Sequence, residues 1–253
     1  MRTIGSKKLA VEVEGSGEPV ILIHGLGGTT NVWGPQLYAL TPKFKVIRYD
    51  LEGSGRSPAA SALSIESWVD DLDALMCAEA IAKARLVAHS LGTLIAQHFA
   101  ARHPDRVDRL VLLGVNRAPT DERRQALRER AAKVRAGGLE AIVDSVMAGG
   151  LSPHARKNPP VEAFARELVL RQSPEGYARS CEAVAAAQAA DISRISCPVL
   201  LLAGEDDTVS PVTVSQSFAQ SLPDAQVIVL RECGHWLPIE RPVEVAERLV
   251  AFL

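Results

Sequence analysis

The chain has 253 residues, 47% of them apolar and 23% charged, with 28 Lys and Arg against 30 Asp and Glu for a formal charge of −2. That length suits one large domain, or a domain carrying an insertion, with ample material for a core. The near-neutral balance speaks against a nucleic-acid binder, the apolar fraction against disorder, and four cysteines against a disulfide scaffold.

Residues 1–10 are basic but have no apolar stretch behind them, so no secretory signal is read there. The uncharged run 86–101 contains Ser, Thr, Gln, Gly and two His and is too short to span a bilayer. Cys77, Cys181, Cys197 and Cys233 show no metal-like spacing and are read as free thiols of a cytoplasmic protein.

In chain order, short aliphatic and β-branched runs at 20–23, 45–49, 85–88, 110–113, 198–202 and 227–230 predict strands. They are nearly continuous apolar runs, as expected where helices cover both faces of a parallel sheet. Ser64 is placed to cap a helix running to about residue 82. A second helix is predicted over 91–102, and Pro242 opens a third that runs to the C-terminus. Repeated β-then-α order implies a right-handed, mostly parallel α/β sheet. Residues 118–193 break the rhythm: the pattern is helical, punctuated by Pro153, Pro159, Pro160 and Pro174. The expectation is a core of 1–117 and 194–253 with a helical cap over the C-terminal edge of the sheet, where open α/β sheets bind ligands. A helical layer packed on one sheet face is the alternative.

The strongest chemical signal is Ala88-His89-Ser90-Leu91-Gly92, at the junction of a strand and a helix. A serine lifted out of the sheet by an abrupt turn of small residues is the nucleophile elbow, usually G-x-S-x-G. Here Ala88 stands for the first Gly. The competing reading is an ordinary helix N-cap serine. A serine hydroxyl needs a base that is itself oriented by a carboxylate. Asp206 and Asp207 follow the strand at 198–202, and His235 follows the strand at 227–230. After the strand at 20–23 comes His24-Gly25-Leu26-Gly27-Gly28, whose small residues let backbone N–H groups turn toward an anion. Leu91 and Leu26 are the expected N–H donors of an oxyanion hole. A dinucleotide loop is excluded because Thr30 sits where the third Gly of G-x-G-x-x-G belongs. His24 is expected to brace the loop, and no pair of histidines has H-E-x-x-H spacing, so neither metal nor organic cofactor is expected. Trp33 and Trp236 either line a substrate pocket or fill space beneath the loops.

Taken together, His24-Gly-Leu-Gly27, the stretch 49–57 (YDLEGSGRS), His89-Ser-Leu-Gly92, Gly204-Glu-Asp-Asp207 and Gly234-His235 make the chain resemble the α/β-hydrolase superfamily along nearly its whole length. It looks most like the branch of 3-oxoadipate enol-lactonases and small carboxylesterases, a likeness extending to 134–138 (VRAGG) and 173–177 (SPEGY) in the cap. The resemblance implies the order nucleophile, acid, base. Its Gly-x-x-Asp-x-x-x-Pro pattern, met by Gly204 and Pro211, selects Asp207 over Asp206. It further implies hydrolysis of a small-molecule carboxylic ester or lactone through Ser90, His235 and Asp207 and an acyl-enzyme. Carbon–carbon bond hydrolysis, perhydrolysis or haloperoxidase-like chemistry share the same triad, and a ligand receptor on the same scaffold is the alternative of another class. Ala88, Thr93 where a second Gly is frequent, and Glu52 where Arg is frequent depart from the pattern. Between positions 117 and 171 there are eleven Lys and Arg against seven Asp and Glu, and a basic lid would attract an anionic substrate. An ordinary solvated surface is the other reading. No membrane or nucleic-acid partner is expected, and the sequence leaves the oligomeric state open.

Overall fold

Along the central strands successive buried side chains alternate between the two faces of the sheet. In the computed structural model, which describes residues 1–60 and 62–253, Val20, Leu22, Val87, Val111, Leu113, Leu200 and Leu202 join one apolar cluster. Ile21, Ile23, Leu86, Ala88, Leu110, Leu112 and Leu201 join another. Successive side chains of a strand point to opposite faces, so a strand covered on both sides must be apolar at every position. The uninterrupted apolar runs of the sequence are the trace of that double coverage.

The elements follow in order as β1 (Arg2–Ile4), β2 (Lys7–Leu9), β3 (Val11–Glu14), β4 (Pro19–Ile23), α1 (Leu37–Leu40), β5 (Lys45–Tyr49), α2 (Ile65–Ala78), β6 (Ala84–His89), α3 (Leu91–Arg102) and β7 (Val107–Leu113). Four helices come next: α4 (Asp121–Gly137), α5 (Glu140–Gly150), α6 (Pro159–Leu170) and α7 (Pro174–Ala186). The chain closes with β8 (Val199–Gly204), α8 (Val212–Gln220), β9 (Ala225–Leu230), α9 (Leu237–Glu240) and α10 (Pro242–Phe252). Seven strands form one sheet in the order β3-β5-β4-β6-β7-β8-β9, with β3 antiparallel to β5 and the remaining pairs parallel. Ile65, Trp68 and Leu72 of α2 and Leu94, Ile95 and Phe99 of α3 cover one face. Val245 and Leu249 of α10 and Leu40 of α1 cover the other, together with Leu127, Leu168 and Tyr177 from the inserted helices.

All six expected strands are present, and most are extended by one to three residues. The three N-terminal strands were not expected: they are short and charged, and β1 and β2 form a separate hairpin whose two-residue turn uses Gly5 at φ +57°. Helix α2 stops at Ala78 rather than near residue 82. Ile81 N–H donates to Met76 O and Ala80 N–H to Cys77 O, a Schellman closure with Ala80 at φ +55° where glycine is usual. Between β7 and β8 the described residues form helices and no strand. Arg135 of α4 pairs with Glu175 and Glu182 of α7, tying the ends of that insertion together. Among the described residues no helix is long and apolar enough to cross a membrane.

One contact fixes how closely α3 approaches β4. A Cβ on Gly92 would lie 2.5 Å from Ile23 O and 2.8 Å from His24 O, both backbone atoms that cannot swing aside. Gly92→Ala is therefore expected to cost about 1–3 kcal/mol by overpacking, read as a lower urea midpoint. An unchanged midpoint would show that α3 is free to shift.

Candidate active site

Three loops at the C-terminal ends of β6, β8 and β9 meet at one point. Ser90 sits between β6 and α3 with φ +52° and ψ −117°, and its side chain makes no capping hydrogen bond to the helix. The N-cap reading of this serine is thereby set aside. Its backbone N–H donates to Leu113 O at 3.0 Å, pinning the turn to β7. A Cβ on Gly25 would stand 2.8 Å from Ser90 Cβ, so the loop after β4 passes directly over the serine. Ala88, in place of the usual glycine, is fully buried within the apolar face of the sheet, which accommodates its methyl.

His235, on the loop after β9, places Nε2 2.7 Å from Ser90 Oγ and Nδ1 2.8 Å from Asp207 Oδ2. These partners assign the proton to Nδ1, leaving Nε2 to accept from the serine hydroxyl. Asp207 Oδ1 accepts from the N–H groups of Val209 and Ser210, each at 2.8 Å. Burial opposes ionisation of Asp207, but His235 and these donors outweigh it and hold its pKa below the ordinary aspartate value. Asp206 is exposed, and its N–H donates to Cys233 O. The loops after β8 and β9 lie so close that a Cβ on Gly204 would fall 2.3 Å from Gly234 O.

Several positioning groups were not foreseen. The buried Glu240 carboxylate accepts from the N–H groups of Gly234 and Trp236, on either side of His235, and from Ser152 N–H just after α5. His235 N–H itself donates to Gly150 O at 2.7 Å. Asn116, just beyond β7, donates its amide to Ser90 Oγ at 3.3 Å. Gln172 donates to Gly27 O and Gly28 O and accepts from Gly55 N–H, holding the β4 loop from the insertion side. Each lies in a loop or at a helix end and acts on segments away from its own, and no local motif marks it. His24 does brace its loop: Nδ1 donates to Gly25 O and Nε2 accepts from Leu51 N–H.

Two cavities open on Ser90. One, of about 180 Å³, is lined by His235, His89, Trp236, Tyr177, Arg123 and Arg130 among others. The other, of about 390 Å³, is more apolar and includes Leu91, Leu94, Asn116, Leu127 and Val214. Leu26 and Arg123 border both. Trp236 thus lines the site, whereas Trp33 is fully buried in the apolar cluster beneath α1 and α10 and borders neither cavity. For Trp33 the space-filling reading is the correct one.

A model of the alpha/beta hydrolase fold family matches residues 18–242. The chain is 32% identical over 236 residues to the pimeloyl-[acyl-carrier protein] methyl ester esterase of Chromobacterium violaceum, covering 90% of this chain and 91% of that protein. The enol-lactonase of Burkholderia xenovorans LB400 superposes with a TM-score of 0.93 at 29% identity, covering 99% and 98% of the two chains. A thermophilic esterase of Thermogutta terrifontis does so with a TM-score of 0.91 at 30% identity, covering 95% and 91%.

His89 generates a test. Burial, and next the neighbouring charge of His235, lower its pKa from 6.5 to about 3, so it stays neutral while its Nε2 bonds to His235 O at 2.7 Å. A histidine whose folded pKa is depressed adds stability that is complete above 6.5 and is lost as the pH falls toward 3. His89→Gln is expected to flatten that acid limb by up to about 1.4 kcal/mol per pH unit, measured by urea unfolding across the range. His24, whose pKa is likewise lowered by burial, leaves a residual slope.

Proposed function

The chain belongs to the α/β-hydrolase fold family, and from that premise we propose that it hydrolyses a small carboxylic ester or lactone with Ser90 as nucleophile, His235 as base and Asp207 as its orienting acid. The observation that carries this is the continuous chain of hydrogen bonds from Ser90 Oγ through both ring nitrogens of His235 to Asp207, at 2.7 and 2.8 Å. Ester-directed relatives, an esterase and an enol-lactonase among them, support the same bond type.

As Ser90 Oγ attacks the carbonyl carbon, its proton passes to His235 Nε2, and the carbonyl oxygen becomes an oxyanion. The N–H groups of Leu91 and Leu26 are the proposed donors to that oxygen. Leu91 is the first residue of α3, where an N–H has no partner within the helix, and Leu26 follows the glycine that lies over Ser90. The carbon–oxygen bond to the alcohol then breaks, and His235 gives its proton to the departing oxygen. Water, deprotonated by His235, attacks the acyl-enzyme, and Ser90 leaves with the proton restored. Every proton is returned, and no cofactor enters the cycle. Asp207 holds the imidazole in the tautomer with Nδ1–H and stabilises the imidazolium that forms.

Helices α4 to α7, spanning the proposed cap at 118–193, contribute Arg123, Arg130, Val146 and Tyr177 to the walls over Ser90, while the core of 1–117 and 194–253 carries the reacting groups. The substrate is thereby enclosed between the two, where water exclusion strengthens the electrostatic contacts of the oxyanion.

Ser90→Ala and Asp207→Asn should each lower kcat for ester hydrolysis by about 10⁴ or more. Covalent labelling by a fluorophosphonate should vanish in Ser90→Ala and His235→Ala. Wild-type turnover by Ser90→Ala would refute this mechanism.

A further inference from the structure

Asn116 follows β7 and borders the larger cavity, on a segment whose backbone is anchored to three neighbouring elements. Gly114 N–H donates to Leu202 O of β8, and Val115 O accepts from Ser210 Oγ. Asn116 N–H donates to Thr93 Oγ1 at 3.0 Å, and Asn116 O accepts from the buried amide of Gln97 at 2.8 Å. The glycine frequent at position 93 in the family pattern would have no oxygen there to accept that N–H. Among the described residues the Asn116 side chain makes one hydrogen bond, from Nδ2 to Ser90 Oγ at 3.3 Å.

The direction of that bond is set by its neighbours. Asp207 takes the Nδ1 proton of His235, so Nε2 accepts the proton of the Ser90 hydroxyl. Oγ then has only lone pairs to offer, and the amide must face it with N–H rather than with its carbonyl. What such a donor does depends on how the charge of Oγ changes. In the free protein Oγ is a hydroxyl oxygen polarised by His235, and it accepts well. In the acyl-enzyme it is an ester oxygen, a poor acceptor. When water has added to the acyl carbon, the carbon–Oγ bond breaks with its electron pair going to Oγ, and Nε2 returns a proton to that oxygen. Oγ passes through alkoxide character, so a donor is held far more strongly there than in the acyl-enzyme. Attack on the substrate instead begins from a hydroxyl already bonded to Asn116, and little is gained. Only an interaction that strengthens toward the transition state speeds its step. At 3.3 Å the bond is long and has room to shorten as charge grows, as hydrogen bonds of unliganded sites do. We propose that Asn116 is a catalytic residue of the second half-reaction, its amide stabilising Ser90 Oγ as the leaving group when the acyl-enzyme is hydrolysed. This inference rests on the acyl-enzyme reading above and adds a residue and a step to it.

Asn116→Ala isolates the bond, because the contacts that place residue 116 are made by its backbone. With p-nitrophenyl acetate, whose good leaving group makes acylation fast, the stopped-flow burst reads acylation and the steady phase reads release. Intact mass after acid quench reads the fraction of protein acylated. In the variant, release should slow by about tenfold or more, the scale of a hydrogen bond to a charged group, while kcat/KM stays within about twofold. kcat and KM then fall together, and the acylated fraction rises. Asn116→Asp should differ, since its carboxylate accepts the hydroxyl proton in competition with Nε2, and acylation and kcat/KM fall as well. Unchanged release in Asn116→Ala overturns the proposal, as does a parallel loss of kcat and kcat/KM, which a displaced Ser90 would give. So does wild-type acylation in Asn116→Asp. In each of these cases fluorophosphonate labelling of the wild-type Ser90 leaves the hydrolase reading standing. A wild-type protein that forms no acetyl adduct and takes no fluorophosphonate would overturn both.

Discussion

Ser90 is held at a backbone conformation that an L-residue rarely adopts, with a cost of about 1–3 kcal/mol, and the surrounding chain is shaped to keep it there. The N–H of Ser90 is locked to β7 through Leu113 O, and its carbonyl accepts from Thr93 Oγ1 at 2.6 Å. Gly25 and Gly92 leave no Cβ in the space where β4 and α3 close on the serine. Had either loop kept its distance, the turn would have no reason to persist. The hydroxyl is thereby presented at the rim of the sheet, free of the helix it precedes, with Asn116 and His235 bonded to its oxygen.

The histidine is constrained differently, by hydrogen bonds rather than by steric closeness. Its loop has no regular ladder to stabilise it, and the buried Glu240 carboxylate takes over that task for the N–H groups flanking it. A buried carboxylate is costly unless its oxygens are engaged, and three backbone donors meet that need. One of those donors, Ser152, and the acceptor for His235 N–H, Gly150, come from the end of α5, within the inserted helices. The insertion therefore does more than roof the cavities: it fixes the height of the imidazole. His89, packed 5.2 Å from the His235 ring and kept neutral by burial, supports the same loop without adding a competing charge beside Asp207.

Charge is distributed around the site with the same economy. Asp207 spends one oxygen on His235 and the other on two N–H groups. Asp50, next to the loop after β4, accepts from Thr30 N–H and from Arg56. Arg123 and Arg130 stand apart from this pattern because no ion pair joins either to a carboxylate among the described residues; both border the smaller cavity with His235, and Arg123 borders the larger one as well.

Strand positions, the parallel sheet, the helical insertion and the sharp turn at Ser90 were all legible in the sequence, because each follows from local periodicity or from small residues at a sharp bend. So was the pairing of an acid and a histidine with Ser90, since successive strand ends of a parallel sheet lie side by side. The choice of Asp207 over Asp206 needed the family pattern, and the structure displays its cause: one carboxylate turns inward to His235 while its neighbour faces water. The N-terminal strands escaped notice because short, charged segments acquire their conformation from the strands they pair with. Trp33 and Trp236 were indistinguishable by type, and only packing separated the one buried beneath α1 and α10 from the one bordering the cavity. Glu240, Gln172, Asn116 and the arginine pair were decided by tertiary structure alone, because each acts across a span of sequence where no local rule couples the partners.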